Sequence, residues 1–150
     1  GQEITRGAVD AVVIPALTAQ TFDISNAVAA ADFEAAFSKL QELIAMQDEA
    51  AAVYIKPELV DYIVSLIGAT RQHPLILRGA SPRATLSLTA MAKAVAYVQK
   101  RDYVVPKDIQ VTFPQTIAHR LLLAPEADAR QVGAQQILEE ILRQVPAPRL

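Results

Sequence analysis

The sequence predicts an all-α domain, a helical bundle of about five helices, on three observations. Apolar residues make up 52% of the 150 residues and recur at helical spacing in several separate stretches. Aromatic residues are only 5%, with no Trp, and alanine is abundant, a balance that suits close helix packing better than a sheet. Several of the nine prolines stand where such stretches begin or end.

The first helix is read over Asp32 to Gln47, where Phe33, Ala36, Phe37, Leu40, Leu43 and Ile44 make one stripe. Upstream, Gly1 to Ala30 mixes β-branched residues with Gly7, Pro15, Ser25 and Asn26; neither period runs long, so an irregular segment is expected, with one short helix near Val9 to Ile14. Pro57 suits the first position of a second helix, whose face carries Leu59, Val60, Ile63, Leu66 and Ile67 and which ends between Gly68 and Pro74. The third start is the clearest. Ser81 is an N-cap residue and Pro82 fits the first helical position; Ala84, Leu88, Met91, Val95 and Val98 form the expected buried stripe, and the helix should stop near Lys100 to Asp102. Pro106 opens a fourth helix with Ile109, Phe113 and Ile117 spaced by four, but Pro114 removes a backbone donor and should kink or split it, so two short helices are as consistent as one. Ile137, Leu138, Ile141, Leu142 and Val145 make a fifth helix that ends at Pro146.

A chain of this length can bury roughly 70% of its unfolded surface, so a core without staples is expected. The absence of cysteine excludes a disulfide framework and thiolate chemistry. Net charge is −2 with both signs interspersed, which gives no basic stripe for nucleic acid. The apolar stretch Ala8 to Leu17 is broken by Asp10 and Pro15 and falls short of the roughly 20 residues of a membrane span. A cytoplasmic protein without a membrane anchor is expected.

Catalytic signals are sparse. None of the five glycines stands in a phosphate-binding loop. His73 and His119 are far apart and neither has HExxH spacing, so no metal site is expected and each reads as a loop or helix-end hydrogen-bonding residue. No GxSxG nucleophile motif occurs; the Ser81 hydroxyl is more simply a cap, and Glu139 and Glu140 read as a solvated face. Arg83 is the exception. It falls in the first turn of the third helix, where the macrodipole disfavours a cation by a few tenths to about 1 kcal/mol. An arginine beside free backbone donors at a helix N-terminus makes a phosphate site, although on spacing alone the plainer reading, a solvent-exposed arginine, stays open.

Four ordered segments carry a resemblance: VYIKPELVDYIVSLIGATRQHP from Val53 to Pro74, GASPRATLSL from Gly79 to Leu88, KRDYVVPKDIQ from Lys100 to Gln110, and AHRLLLAPEA from Ala118 to Ala127. Together, over about Phe33 to Pro146, they resemble the C-terminal lid of MoxR-family AAA-plus ATPases. The resemblance implies a helical lid over residues 31–150, preceded at 1–30 by an irregular segment or linker from the ATPase core. It implies that the lid closes over ATP between neighbouring subunits of a ring, often a hexamer. Arg83 would be the second sensor, catalytic only in the assembled ATPase and reaching the terminal phosphate of ATP, with Ser81 and Pro82 beside it at the nucleotide. Gly79 to Pro82 would form the turn that brings this helix end to the nucleotide, while Arg71 and His119 to Arg120 would serve packing or the core-to-lid joint.

Mg-ATP would be held by the missing core, so the fragment alone should bind no cofactor and hydrolyse nothing, whereas the parent would be an ATPase. The family implies a chaperone-like motor for maturation or metal-cofactor insertion, with client proteins that bear a von Willebrand A domain. The competing reading is a free-standing helical interaction module without a nucleotide role, its apolar stripes partly buried on a partner helix.

Overall fold

Proline sets where most of the helices begin. In the computed structural model, which describes residues 22–149, Pro57, Pro82, Pro106 and Pro125 each open a helix, and Lys56, Ser81, Val105 and Ala124 before them are extended. The physical reason is shared: proline's fixed φ suits the first helical position, its missing N–H is not needed there, and its ring pushes the preceding residue out of the α region.

The helices in chain order are α1 (22–29), α2 (Phe33–Ala52), α3 (Pro57–Gln72), α4 (Pro82–Val98), α5 (Pro106–Ile117), α6 (Pro125–Ala129) and α7 (Ala134–Gln144). A 3₁₀ turn, Ala118–Arg120, follows α5. Two short strands, β1 (Ile76–Arg78) and β2 (Leu122–Leu123), pair antiparallel with Ile76 opposite Leu123 and Arg78 opposite Leu122; the register shift between them falls at Leu77. The all-α expectation holds, with this small sheet and the short α6 added.

The chain divides into two compact units, Gly1–Ala52 and Val53–Leu150. In the first, residues 22–29 are helical where an irregular segment is expected; the expected short helix near Val9 to Ile14 lies outside the described residues. Asp32 caps α2, its Oδ1 accepting the Ala35 N–H at 3.0 Å. The predicted stripe of α2 is present but uncovered. Ala36 is buried, whereas Phe33, Phe37, Leu40 and Ile44 are 68%, 61%, 45% and 50% exposed.

The second unit contains one contiguous core. Leu59, Ile63, Leu66 and Ile67 from α3, Ala84, Leu88, Ala92 and Ala96 from α4, Ile109, Phe113 and Ile117 from α5 and Ile137, Leu138 and Ile141 from α7 meet there. Helix α4 packs chiefly on α5, and α7 closes over α3 and α5. Small residues on the inner face of α4 permit the close approach, and this corrects the expected stripe: Ala92 and Ala96 face the core while Met91 is 42% exposed. Pro114 does not split α5. The helix runs through it as a single element, because Pro114 and Gln110, whose carbonyl loses its N–H partner, both lie on the half-exposed face.

A charged clamp ties the connection after α4 to the start of α5. Arg101 donates two hydrogen bonds to Asp108, from Nη2 to Oδ1 at 2.7 Å and from Nη1 to Oδ2 at 2.9 Å, and reaches Gln99 Oε1 and the Tyr103 carbonyl as well. Asp108 Oδ2 also accepts the Val105 N–H at 2.9 Å, so this 2%-exposed carboxylate closes the start of α5 and neutralises the arginine together. Hydrogen bonding to Asp108 pushes the Arg101 pKa above its ordinary value, offset in part by burial.

Candidate functional site

Four residues separate the end of β1 from Arg83, and the first two, Gly79 and Ala80, are fastened to α3. Ala80, 1% exposed, donates its N–H to Thr70 Oγ1 at 3.0 Å, and its carbonyl accepts a hydrogen bond from Arg71 Nε at 2.9 Å. The Thr70 hydroxyl in turn donates a hydrogen bond to the Ile67 carbonyl at 2.7 Å, so one buried side chain satisfies two groups at once. Gly79 lies against the backbone of Arg71. A Cβ at Gly79 would stand 2.7 Å from Arg71 Cγ and 2.8 Å from its Cα and N, closer than atoms pack. Glycine is required at this position by proximity, not by φ.

From that fixed turn, Ser81 is extended at the N-cap position, Pro82 opens α4, Arg83 is the second helical residue, and Ala84 is fully buried beneath them. Ser81 occupies the expected position, but its hydroxyl makes no capping hydrogen bond, which corrects the simple reading of that side chain as a cap. Only the Ser81 carbonyl engages, accepting the Ala84 N–H at 2.9 Å. Ser81, Pro82 and Arg83 are all exposed. The result is an outward-facing cation on a rigid helix end whose first amides no side chain caps. Such a donor set fits a phosphate, since the guanidinium fork and the helix end favour the same anion.

The other singled-out residues lie elsewhere. Arg71 packs on the 79–80 turn, in line with a packing role. His73 is the C-cap of α3; its Nδ1 accepts the Leu75 N–H at 3.2 Å, and its Nε2 is 3.8 Å from Glu140 Oε2 on α7. His119 and Arg120 share the 3₁₀ turn, where Arg120 Nε donates to His119 Nε2 at 3.2 Å. Sequence reasoning passed over Thr70. Its signal was available, because a threonine in register with the apolar positions Ile63 and Ile67 is a buried polar group that needs partners.

No helix among the described residues is long and apolar enough to cross a membrane, and no three of their His, Asp and Glu side chains lie close enough to share a metal ion.

Comparison with known proteins points the same way. Residues 68–141 match the AAA lid domain family. The chain is 39% identical over 108 residues to an uncharacterised protein, YeaC, of Bacillus subtilis, a match covering 72% of this chain and 34% of the relative. It is 33% identical over 118 residues to the chaperone MoxR1 of Mycobacterium tuberculosis, covering 73% and 31%. The crystal structure of a candidate ATPase from Cytophaga hutchinsonii superposes with a TM-score of 0.65 at 38% identity, covering 68% of this chain and 34% of that one. The chain thus spans about a third of the length of these two curated relatives. The lid-family match takes in the Gly79–Arg83 turn, named relatives and superposed structure agree with it, and the chain belongs to the MoxR-type AAA-plus proteins as their lid domain.

Proposed function

We propose that this lid closes over ATP held by a AAA-plus core domain and that Arg83 senses the terminal phosphate. The observation that carries the reading is the combination at the start of α4: an exposed guanidinium in the first turn, a helix end that no side chain caps, and a turn anchored to α3 that leaves the helix end little freedom. Local stability gives no reason for the cation. A positive side chain at the positive end of a helix costs a few tenths to about 1 kcal/mol, whereas a phosphate placed there would reverse the sign of that interaction. Ser81 and Pro82 would flank the phosphate, and Mg-ATP would be supplied by the core, since no phosphate-binding loop occurs in this sequence.

Within this reading the lid works in a ring of subunits, in a chaperone-like motor acting on partner proteins, with domains of the von Willebrand A type as the clients and metal-cofactor insertion as the task. Arg83 contributes most when charge redistributes over the transferred group. In the intact ATPase, Arg83→Ala should lower steady-state turnover about tenfold or more, at least about 1.4 kcal/mol of barrier, with a smaller effect on ATP affinity. Arg143, exposed in the last turn of α7, is the control, and Arg143→Ala should match wild type. Equal turnover in all three proteins would remove the sensing role. The competing reading, an interaction module, draws on the uncovered apolar stripe of α2 and predicts that equality.

A further inference from the structure

We infer that Thr70 and Arg71 are positioning residues: they hold the Gly79–Ala80 turn against the end of α3 and thereby fix where the Arg83 backbone sits. The inference rests on the reading of Arg83 as the phosphate sensor and extends it to residues that themselves touch no nucleotide.

The geometry has three independent fastenings on one dipeptide. The Ala80 N–H and C=O are both taken by consecutive residues of α3, Thr70 and Arg71, at 3.0 and 2.9 Å, so Ala80 can neither rotate nor slide without breaking a hydrogen bond. Gly79 adds steric contact with the Arg71 backbone. Thr70 and Ala80 are 0% and 1% exposed, so water is not at hand to replace the hydrogen bond between them, whereas Arg71 itself is exposed. Beyond Ala80 the path to Arg83 has few free torsions. Ser81 is extended, Pro82 has its φ fixed by its ring, and Ala84 is pinned in the core one residue after Arg83. A shift of the turn therefore carries the Arg83 backbone with it, and a misplacement of about 1 Å in a positioned group is enough to cost a large factor in rate.

The test uses the intact ATPase and four variants: Thr70→Val, which keeps shape and loses the hydroxyl; Thr70→Ser, which restores it; Arg83→Ala; and the double variant Thr70→Val with Arg83→Ala. Hydrogen exchange of the Ala80 amide reads the lock, fluorescent-analogue titration reads nucleotide affinity, and turnover reads the consequence. In Thr70→Val the Ala80 amide should exchange at least about tenfold faster, and turnover should fall by about threefold to tenfold with affinity within about twofold. Thr70→Ser should recover both readouts. In the Arg83→Ala background Thr70→Val should cause no further loss of turnover, because the group it positions is gone.

A slow Arg83→Ala together with normal turnover in Thr70→Val, despite faster Ala80 exchange, would overturn the positioning role and leave the sensor reading standing. Additive losses in the double variant would likewise make Thr70 a general structural residue. Wild-type turnover in Arg83→Ala would overturn the sensor reading, and the positioning role with it. Should Thr70→Val not fold, Gly79→Ala, which presses a methyl on the Arg71 backbone, takes its place in the same cycle with the same expectation.

Discussion

Lys100 occupies the left-handed region, with φ 57°, at the end of α4. The Arg101 N–H reaches the Ala96 carbonyl at 3.0 Å and the Lys100 N–H the Tyr97 carbonyl at 2.8 Å, the two bonds of a Schellman closure. The same pattern ends α1 at Ala31, with φ 57°, and α6 at Gln131, with φ 54°. A side chain in that conformation costs about 1–2 kcal/mol, and glycine would relieve it at about 0.5–1 kcal/mol of its own entropy. Lys100→Gly should therefore raise stability by roughly 0.5–1 kcal/mol, visible as a higher thermal midpoint. An unchanged or lower midpoint would mean that the lysine gains a compensating contact. The neighbouring residue has the opposite role. Arg101→Met leaves the 2%-exposed Asp108 carboxylate without its cation and should cost about 2–4 kcal/mol in denaturant unfolding, discounted from a fully buried pair because the arginine side chain is 21% exposed.

Among the helices, beginnings were legible in the sequence and endings less so, for a physical reason. Pro57, Pro82 and Pro106 announce starts through a fixed φ that any reader of the sequence knows. The ends of α4 and α6 depend on a left-handed residue usually signalled by glycine, and here lysine and glutamine stand in its place. Strands of three and two residues and a five-residue helix are too short to show a period, so β1, β2 and α6 could not be seen. The α4 stripe was read through Met91 because a large apolar side chain scores above alanine, yet close packing on α5 selected Ala92 and Ala96. For the site, Arg83 and the turn before it stood out from charge placement and from resemblance, while Thr70 needed the fold to bring position 80 beside it.

Apolar spacing alone also fails to separate the two kinds of stripe in this chain. Phe37 on α2 and Phe113 on α5 both sit in regular patterns, but Phe37 is 61% exposed and Phe113 is fully buried. Phe113→Ala should lower stability by about 3–5 kcal/mol, and Phe37→Ser should change it by no more than about 0.5 kcal/mol. Comparable losses in the two variants would show that the α2 stripe is covered in solution.

At the scale of the whole molecule, a lid has a clear division of labour. The second unit supplies a helical body, one charged helix end and an anchored turn, and in the proposed function the phosphate-binding loop would come from a core domain. On the proposed reading chemistry belongs to the assembly, and the contribution proposed for this chain is the placement of a single cation, Arg83, relative to the terminal phosphate. The claim has a signature that distinguishes the terminal phosphate from general nucleotide binding, because ADP lacks the group Arg83 is proposed to meet. The most direct measurement is the single-turnover rate of hydrolysis at saturating ATP, with ADP affinity measured alongside, for wild-type and Arg83→Ala forms of the intact ATPase. The account predicts a chemical step about tenfold or more slower in Arg83→Ala, with ADP affinity within about twofold of wild type. An unchanged single-turnover rate would contradict it.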